Sequence, residues 1–126
     1  MAIRLIDSVR SRLLIASYSF KNKWMAEALI RAHRRGVEVK VVLDASRARA
    51  RRSQYWNLWP SGIDVRTLWD FRPLRYGFVM IDDDVVVDGS YGFSWAEEGY
   101  ESVVVLKGEV VRRYSEEFER LWVDAK

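Results

Sequence analysis

The residues with the clearest chemical potential lie between positions 74 and 93, a stretch that carries four aspartates and a Gly-Ser pair. Two apolar runs, 78–81 and 85–87, flank three consecutive aspartates, and this pattern predicts a β-hairpin. Carboxylates grouped in this way could hold a cation. Successive strand residues point to opposite faces, however, so the four side chains cannot all converge on one ion. We therefore interpret the group as an acidic hairpin turn and predict no metal site. Its members are Asp82, Asp83, Asp84 and Asp88.

The spacing that follows the first aspartate resembles the signature of the phospholipase D superfamily. That signature reads His-x-Lys, four residues, Asp, six residues, Gly-Ser. Its second half is matched by Asp82 and by Gly89-Ser90. Its first half is not matched, since the His position holds Arg75 and the Lys position holds Gly77. The resemblance spans roughly residues 5–122 and is to the small bacterial nuclease branch.

The resemblance implies a phosphodiester chemistry for which this sequence lacks the reacting groups. In the superfamily a neutral imidazole attacks phosphorus, a second histidine protonates the leaving group, and a lysine neutralises the phosphate oxygens. Arg75 stays protonated and has no lone pair to offer, while Gly77 offers only backbone. The sole histidine, His33, lies in a helical pattern far away in the sequence.

Two further family positions extend this comparison. The Asn that usually follows Gly-Ser in the superfamily is Gly92 here, whereas the Glu that usually supports the catalytic histidine is retained as Glu101. Groups that contact phosphate are lost within an otherwise intact frame, which predicts a catalytically impaired member, or pseudoenzyme. Arg75 either pairs with Glu101 in the vacated site or binds a ligand phosphate. The degenerate site positions are Arg75, Gly77, Asp82, Ser90, Gly92 and Glu101.

A basic segment follows a predicted buried strand at 37–43. It begins at the carboxyl end of that strand, which is the edge where open α/β sheets bind ligands. Aromatic residues accompany the arginines, as in proteins that hold single-stranded nucleic acid. The same arginines fit a solvated helix start equally well, and we expect Trp56 and Trp59 to pack that helix onto the sheet. The candidate nucleic-acid-binding residues are Arg47, Arg49, Arg51, Arg52, Tyr55 and Trp56.

The composition describes a single globular domain over residues 1–126. Hydrophobic residues make up 49% and charged residues 31% of the chain, as in an ordinary protein with one core. The absence of cysteine excludes disulfides and thiolate metal sites, and one histidine argues against an imidazole site, so we expect no cofactor. We find no apolar stretch that could span a bilayer and no signal peptide, and expect a cytoplasmic protein. The net charge of +3 suits either a polyanionic partner or an arginine-rich, heat-stable protein.

The hydrophobic periodicity predicts an α/β fold, with a mixed sheet flanked by helices that resembles half of a phospholipase D. A strand, a helix that begins after Asn22 and ends at Gly36, and a second strand form a βαβ unit, which makes the sheet at least partly parallel. The predicted elements, in order, are a helix at 3–11, strands at 13–20 and 37–43, a turn at 60–62, a strand at 63–68, the hairpin, an aromatic loop at 91–100, a strand at 101–106 and an amphipathic helix over 110–122.

The superfamily builds its complete site from two such domains, so one copy of the motif implies a homodimer. The leading hypothesis is an impaired member that keeps dimerisation and binds a phosphate-bearing polymer weakly. Two alternatives stay open at this point. One is an active phosphodiesterase or nuclease that uses a site foreign to the family, and the other is a structural or protein-binding module.

Overall fold

A computed structural model describes residues 2–69, 77–93 and 103–126. Its centre is a mixed β-sheet whose six described strands follow the order β3-β2-β1-β4-β5-β6. The strands are β1 (Arg12–Ser17), β2 (Glu38–Asp44), β3 (Asp64–Leu68), β4 (Gly77–Ile81), β5 (Val85–Phe93) and β6 (Val103–Lys107). The helices are α1 (Ala2–Asp7), α2 (Lys23–Arg34), α3 (Ala45–Ala48), α4 (Tyr55–Leu58) and α5 (Val110–Asp124), and a turn of 3-10 helix covers Trp59–Ser61. The predicted α/β architecture is confirmed.

One half of the sheet is parallel. β1 pairs with β2 and β2 pairs with β3, both in parallel register. The crossover helix α2 begins as the sequence predicts, because the Asn22 side chain accepts a hydrogen bond of 3.0 Å from the backbone N–H of Met25. It ends where Gly36 adopts a φ of 92°, a left-handed conformation that glycine tolerates without strain. These boundaries bring the carboxyl ends of β1, β2 and β3 to one edge.

The other half is antiparallel and contains the predicted hairpin. β4 runs antiparallel to both β1 and β5, and β6 pairs with β5 on the outside. The turn between β4 and β5 puts Asp82 and Asp83 at φ values of 53° and 64°. Two successive positive φ values match the twist of the flanking strands, and aspartate tolerates them better than most residues. The acidic turn is therefore a local solution to hairpin geometry.

Each face of the sheet is covered by a different set of helices. Alternate residues of the central strand, such as Leu13 and Ile15, belong to a core shared with α1 and α2. Their neighbours Leu14 and Ala16 belong to a second core shared with α5, in which Phe118 and Trp122 are buried. No helix of the described residues is both long and apolar enough to cross a membrane.

Several predicted boundaries are wrong by a few residues. The first helix stops at Asp7, because the Ser8 hydroxyl donates back to the Leu5 carbonyl at 2.7 Å and competes with helix propagation. The strand predicted at 13–20 ends at Ser17. Residues 91–93, predicted as loop, continue β5 instead, in keeping with the strand preference of aromatic residues. The amphipathic helix predicted over 110–122 would bury an apolar residue at its start, but Val110 is 38% exposed and lies outside the core.

Candidate functional site

Three residues in register mark the end of the sheet at which the motif lies. Ser17, the last residue of β1, pairs with Gly77, the first residue of β4, and Gly77 pairs with Gly89 of β5. We call these three residues the motif row. Gly77 is buried and stands where the superfamily signature has its lysine. The motif row therefore has no cationic side chain where the signature supplies an ammonium group.

The hydroxyl of the motif row is committed to local structure. Ser17 is fully buried, and its Oγ donates to the backbone carbonyl of Ser19 at 2.5 Å. This contact turns the chain directly after β1. Tyr18 is thereby placed at the edge formed by the carboxyl ends of the parallel strands, where a ligand site of this fold class is expected.

The chain's only imidazole lies at the opposite end of the sheet. His33 is near the end of α2 and close to Gly62, where an added Cβ would lie 3.1 Å from its Nε2. Gly62 leads into β3, whose first residue Asp64 pairs with Lys40 near the start of β2. The motif row, by contrast, is level with Leu43 near the end of β2. His33 therefore lies near the end of the sheet opposite to the motif row.

Asp82 is the one charged residue of the signature that is retained, and its carboxylate stabilises the fold by binding the start of β1. Its carboxylate accepts hydrogen bonds from the backbone N–H groups of Arg10, Ser11 and Arg12 at 3.0, 2.7 and 3.1 Å. The Ser11 hydroxyl adds a fourth at 2.8 Å. In return, the Asp82 backbone N–H donates to the Arg12 carbonyl at 2.9 Å. We call this set of contacts the Asp82 clamp, and it fixes the hairpin turn to the start of β1.

The Asp82 clamp also determines the ionisation of this carboxyl. Partial burial by itself raises the pKa of Asp82, but the hydrogen bonds from Ser11, Arg10 and Arg12 outweigh burial and leave the pKa below its usual value. A carboxylate that accepts several N–H groups is stabilised in its charged form. Asp82 is thus held as an anion by dipoles of the backbone and is oriented away from the motif row, at the other end of β4.

The remaining aspartates of the hairpin diverge, as predicted. Asp83 binds the Arg12 guanidinium at 2.8 Å, on the exposed side of the turn. Asp88 accepts a hydrogen bond of 2.5 Å from the Tyr114 hydroxyl of α5. Within the described ranges, no group of three or more acidic or histidine side chains could hold a metal ion.

Among the described arginines, Arg47 contacts Tyr18, the residue that follows the motif row residue Ser17. The Asp44 carboxylate at the end of β2 accepts a hydrogen bond of 3.2 Å from the backbone N–H of Ser46 and also contacts the Ser46 hydroxyl, which starts α3. Arg47 of α3 then donates from Nε to the Tyr18 hydroxyl at 3.2 Å, and its guanidinium lies 5.7 Å from the Tyr18 ring centre. The hydrogen bond to Tyr18 raises the pKa of Arg47. Tyr18 is not one of the predicted site residues, because the strand predicted at 13–20 includes it, whereas β1 ends at Ser17.

The other basic candidates are exposed, whereas the prediction for the aromatic candidates needs correction. Arg49, Arg51 and Arg52 are exposed. Tyr55 is only 8% exposed, so its ring is not open to a base as predicted. The expectation that Trp56 and Trp59 pack onto the sheet is wrong, because Tyr55 and Leu58 fill the buried side of the one-turn helix α4. Trp59, which is not one of the predicted nucleic-acid-binding residues, is exposed beside Trp56.

The structure does not describe the side chains at four of the degenerate motif positions. Arg75 and Glu101, and with them the predicted pairing of these two residues, lie outside the described residues. Ser90 and Gly92 lie in the backbone of β5. Their roles in a vacated site stay predictions.

Comparisons with known proteins agree with the architecture of the sheet. Residues 2–122 match the family described as "Cardiolipin synthase, PLD-like domain". The chain belongs to the phospholipase D-like family. Among its relatives, the mitochondrial cardiolipin hydrolase of Mus musculus is 30% identical over 123 residues, which are 95% of this chain and 56% of the relative. The chain thus spans about half the length of the curated relatives it matches first.

Solved structures give the same phospholipase D-like fold. The phospholipase D family member Nuc from Salmonella typhimurium superposes with a TM-score of 0.85 and 27% identity, covering 98% of this chain and 86% of Nuc. TrmBL2, an archaeal chromatin protein whose structure shows a novel mode of DNA binding, superposes with a TM-score of 0.70 and 22% identity. It covers 99% of this chain and 49% of TrmBL2, and its likeness concerns the fold alone.

The Asp82 clamp predicts a stability difference that depends on pH. Asn at position 82 keeps the left-handed turn but loses the charge, so Asp82→Asn is expected to lower the free energy of unfolding by about 2 kcal/mol at pH 7. Because the folded pKa is depressed, the contribution is present above the unfolded value of about 3.9 and is lost as the pH falls through the lower folded value. Urea unfolding of both proteins at a series of pH values from about 7 to about 2 measures this.

A matched control for this prediction is Asp84→Asn, which removes the same charge from an exposed residue of the same turn. It is expected to change the free energy of unfolding by less than about 0.5 kcal/mol. Equal losses for the two variants would show that net charge, and not the clamp, is what matters.

Proposed function

We propose that this chain is a phospholipase D-like domain that has lost phosphodiester cleavage and serves as a homodimeric module for binding phosphate-bearing polymers. The observation that carries the proposal is the composition of the motif row. Gly77 replaces the lysine, and the only imidazole of the chain, on His33, lies at the other end of the sheet. An enzyme that works through a phosphohistidine needs an imidazole lone pair directed at phosphorus.

Loss of cleavage need not mean loss of phosphate binding. Arg75, at the nucleophile position of the motif, cannot attack phosphorus but can donate two hydrogen bonds to phosphate oxygens. Arg47 adds a second guanidinium, and the Tyr18 hydroxyl and ring restrict where it points. A side chain that is already oriented loses less entropy when a phosphate binds. These features support binding at the edge of the motif row without turnover.

We infer the nature of the polymer from the charge of the segment 45–63 and from proteins that share the fold. The segment 45–63 carries Arg47, Arg49, Arg51 and Arg52 and has no acidic residue. Exposed arginines on one surface attract any polyphosphate and do not read sequence. The same fold occurs in TrmBL2, an archaeal chromatin protein whose structure shows a mode of DNA binding, so nucleic acid is the polymer we favour over a lipid headgroup.

The dimer is proposed from the single copy of the motif. Enzymes of this superfamily assemble one site from two motif-bearing domains, and this chain carries one motif. A two-fold axis close to residues 75–93 would bring two motif rows and two copies of Arg47 to one cleft. Two arginine clusters on one surface would also explain how individually weak phosphate contacts add up on a polymer.

The first prediction from this proposal concerns catalysis. The chain as written should show no turnover of a chromogenic phosphodiester, and the triple variant Arg75→His, Gly77→Lys, Gly92→Asn should gain measurable turnover, because Glu101 and Ser90 remain to support a restored imidazole. Arg75→His alone should gain little, since the phosphate charge still lacks its lysine. If the unmodified chain cleaves the substrate and Arg75→Ala leaves that cleavage intact, an active site foreign to the family replaces our proposal.

The second prediction concerns binding. Replacing Arg47, Arg49, Arg51 and Arg52 by Ala should abolish binding of a labelled oligonucleotide in fluorescence anisotropy. Binding by the unmodified chain should weaken steeply as salt rises from about 50 to about 200 mM, because counterion release drives it. The control removes four exposed arginines of other elements, Arg4, Arg10, Arg112 and Arg113, and thus the same net charge. If both quadruple variants lose binding equally, net charge alone is responsible.

The third prediction concerns assembly. Sedimentation velocity should give a dimer at micromolar concentration, and a glycine-to-arginine change in the motif row, Gly89→Arg, should shift the equilibrium toward monomer by placing two like charges near the axis. Circular dichroism of the variant checks that the fold survives. A chain that stays monomeric at high micromolar concentration would refute the dimer.

A further inference from the structure

Two indoles are exposed within four residues on the helical side of the sheet. Trp56 is 49% exposed although it follows the buried Tyr55, and Trp59 is 59% exposed although it follows the buried Leu58. Exposed aromatic surface next to a charged rim commonly marks an interaction site. The rim here is basic, since Arg49, Arg51 and Arg52 precede the indoles.

Both indoles are held in fixed orientations. Trp56 donates from Nε1 to the Ala50 carbonyl at 3.2 Å and meets the Tyr55 ring edge-on, with centres 5.2 Å apart. Trp59 is stacked on Tyr55 with an interplanar angle of 3° and a centre distance of 6.2 Å. One buried phenol ring thus anchors two indoles whose planes are nearly perpendicular. Since the rings are ordered before a ligand arrives, binding costs little conformational entropy.

A cation is attached to the same anchor. The Arg49 guanidinium lies 5.4 Å from the centre of the Tyr55 ring. Aromatic faces and guanidinium groups in one small area are the combination that binds unpaired nucleotides, because each base offers a face to the ring and each phosphate an anion to the arginine. A lipid surface is matched less well, since interfacial binding needs a broad apolar face along an amphipathic helix and α4 is one turn long.

We infer that Trp56 and Trp59 are base-stacking platforms that make this domain select single-stranded over double-stranded nucleic acid. The inference rests on the proposed polymer binding and names its substrate class. In a duplex the base faces are covered by neighbouring pairs, so indoles have nothing to stack on and only the arginine contacts remain. In an unpaired strand both kinds of contact form together.

The experiment compares three probes of equal length and phosphate number per strand, using the full chain and fluorescence anisotropy at fixed salt. The probes are an oligothymidine, an abasic strand with the same backbone, and a duplex. We expect the oligothymidine to bind at least fivefold more tightly than either of the others, since base–aromatic stacking favours it. Vesicles containing anionic lipid serve as a fourth probe and should not compete with the oligothymidine.

Substitutions locate the preference on the two indoles. Trp56→Ala and Trp59→Ala should each weaken oligothymidine binding about fivefold or more and leave binding of the abasic strand unchanged. Because removal of Trp59 uncovers Tyr55, Trp59→Phe is included; it keeps a stacking face and should retain most of the affinity. Trp69→Ala is the matched control, as Trp69 is 74% exposed but lies beside α5, on a different surface.

The outcomes separate this inference from the proposal on which it rests. If all three nucleic-acid probes bind equally and binding still depends on the four arginines, polymer binding stands and strand selection is wrong. If Trp69→Ala weakens binding as much as Trp59→Ala does, the platform is misassigned. If no nucleic-acid probe binds, both the inference and nucleic-acid binding fail. If vesicles displace the bound oligothymidine, nucleic-acid binding stands, but the surface takes anionic lipid as well and its selection of unpaired strands is wrong.

Discussion

The Asp82 clamp is the interaction on which the arrangement of this sheet depends. One carboxylate accepts hydrogen bonds from three consecutive backbone N–H groups at the start of β1, the strand that joins the parallel half to the antiparallel half. The carbonyl of Ser11, in the same turn, accepts from the Glu38 N–H at the start of β2. The clamp therefore sets the register of three strands at one end. Each of these hydrogen bonds contributes roughly 0.5–1.5 kcal/mol to a domain whose total stability is small.

Because the clamp lies at the end of β4 away from the motif row, residues of the motif row can be replaced without loss of the fold. Gly77 and Asp82 stand at opposite ends of β4, which separates them by roughly 16 Å at about 3.3 Å per residue. Changes at the motif row therefore leave the hydrogen bonds of the clamp untouched. Asp82 is part of the signature, yet in this chain its carboxylate contacts the backbone N–H groups of residues 10–12 and the Ser11 hydroxyl. Its contribution to folding does not depend on chemistry at the other end of the strand.

The sequence predicted the parts of this fold that depend on local patterns. Alternating and helical periodicity located every described strand and the two long helices, and Asn22 and Gly36 marked the limits of α2 because capping is a property of adjacent residues. The family frame gave the Asp82 and Gly89 positions. Tertiary competition decided what the sequence could not. Tyr55 and Leu58 took the buried side of α4 and left Trp56 exposed, and no local pattern ranks three aromatic residues for one buried position.

Arg47 links the basic segment to the motif row. It follows β2 at the same edge at which Ser17 ends β1, and it is tied to Tyr18, the residue next to the motif row. Parallel pairing of β1 and β2 is what brings these residues together, although they lie 29 positions apart in the chain. A glycine within a strand commonly marks a close approach of ligand or backbone. In the binding mode that we propose, a phosphate backbone approaches the pair Gly77 and Gly89, and guanidinium groups from the neighbouring edge meet its charge where the signature has a lysine.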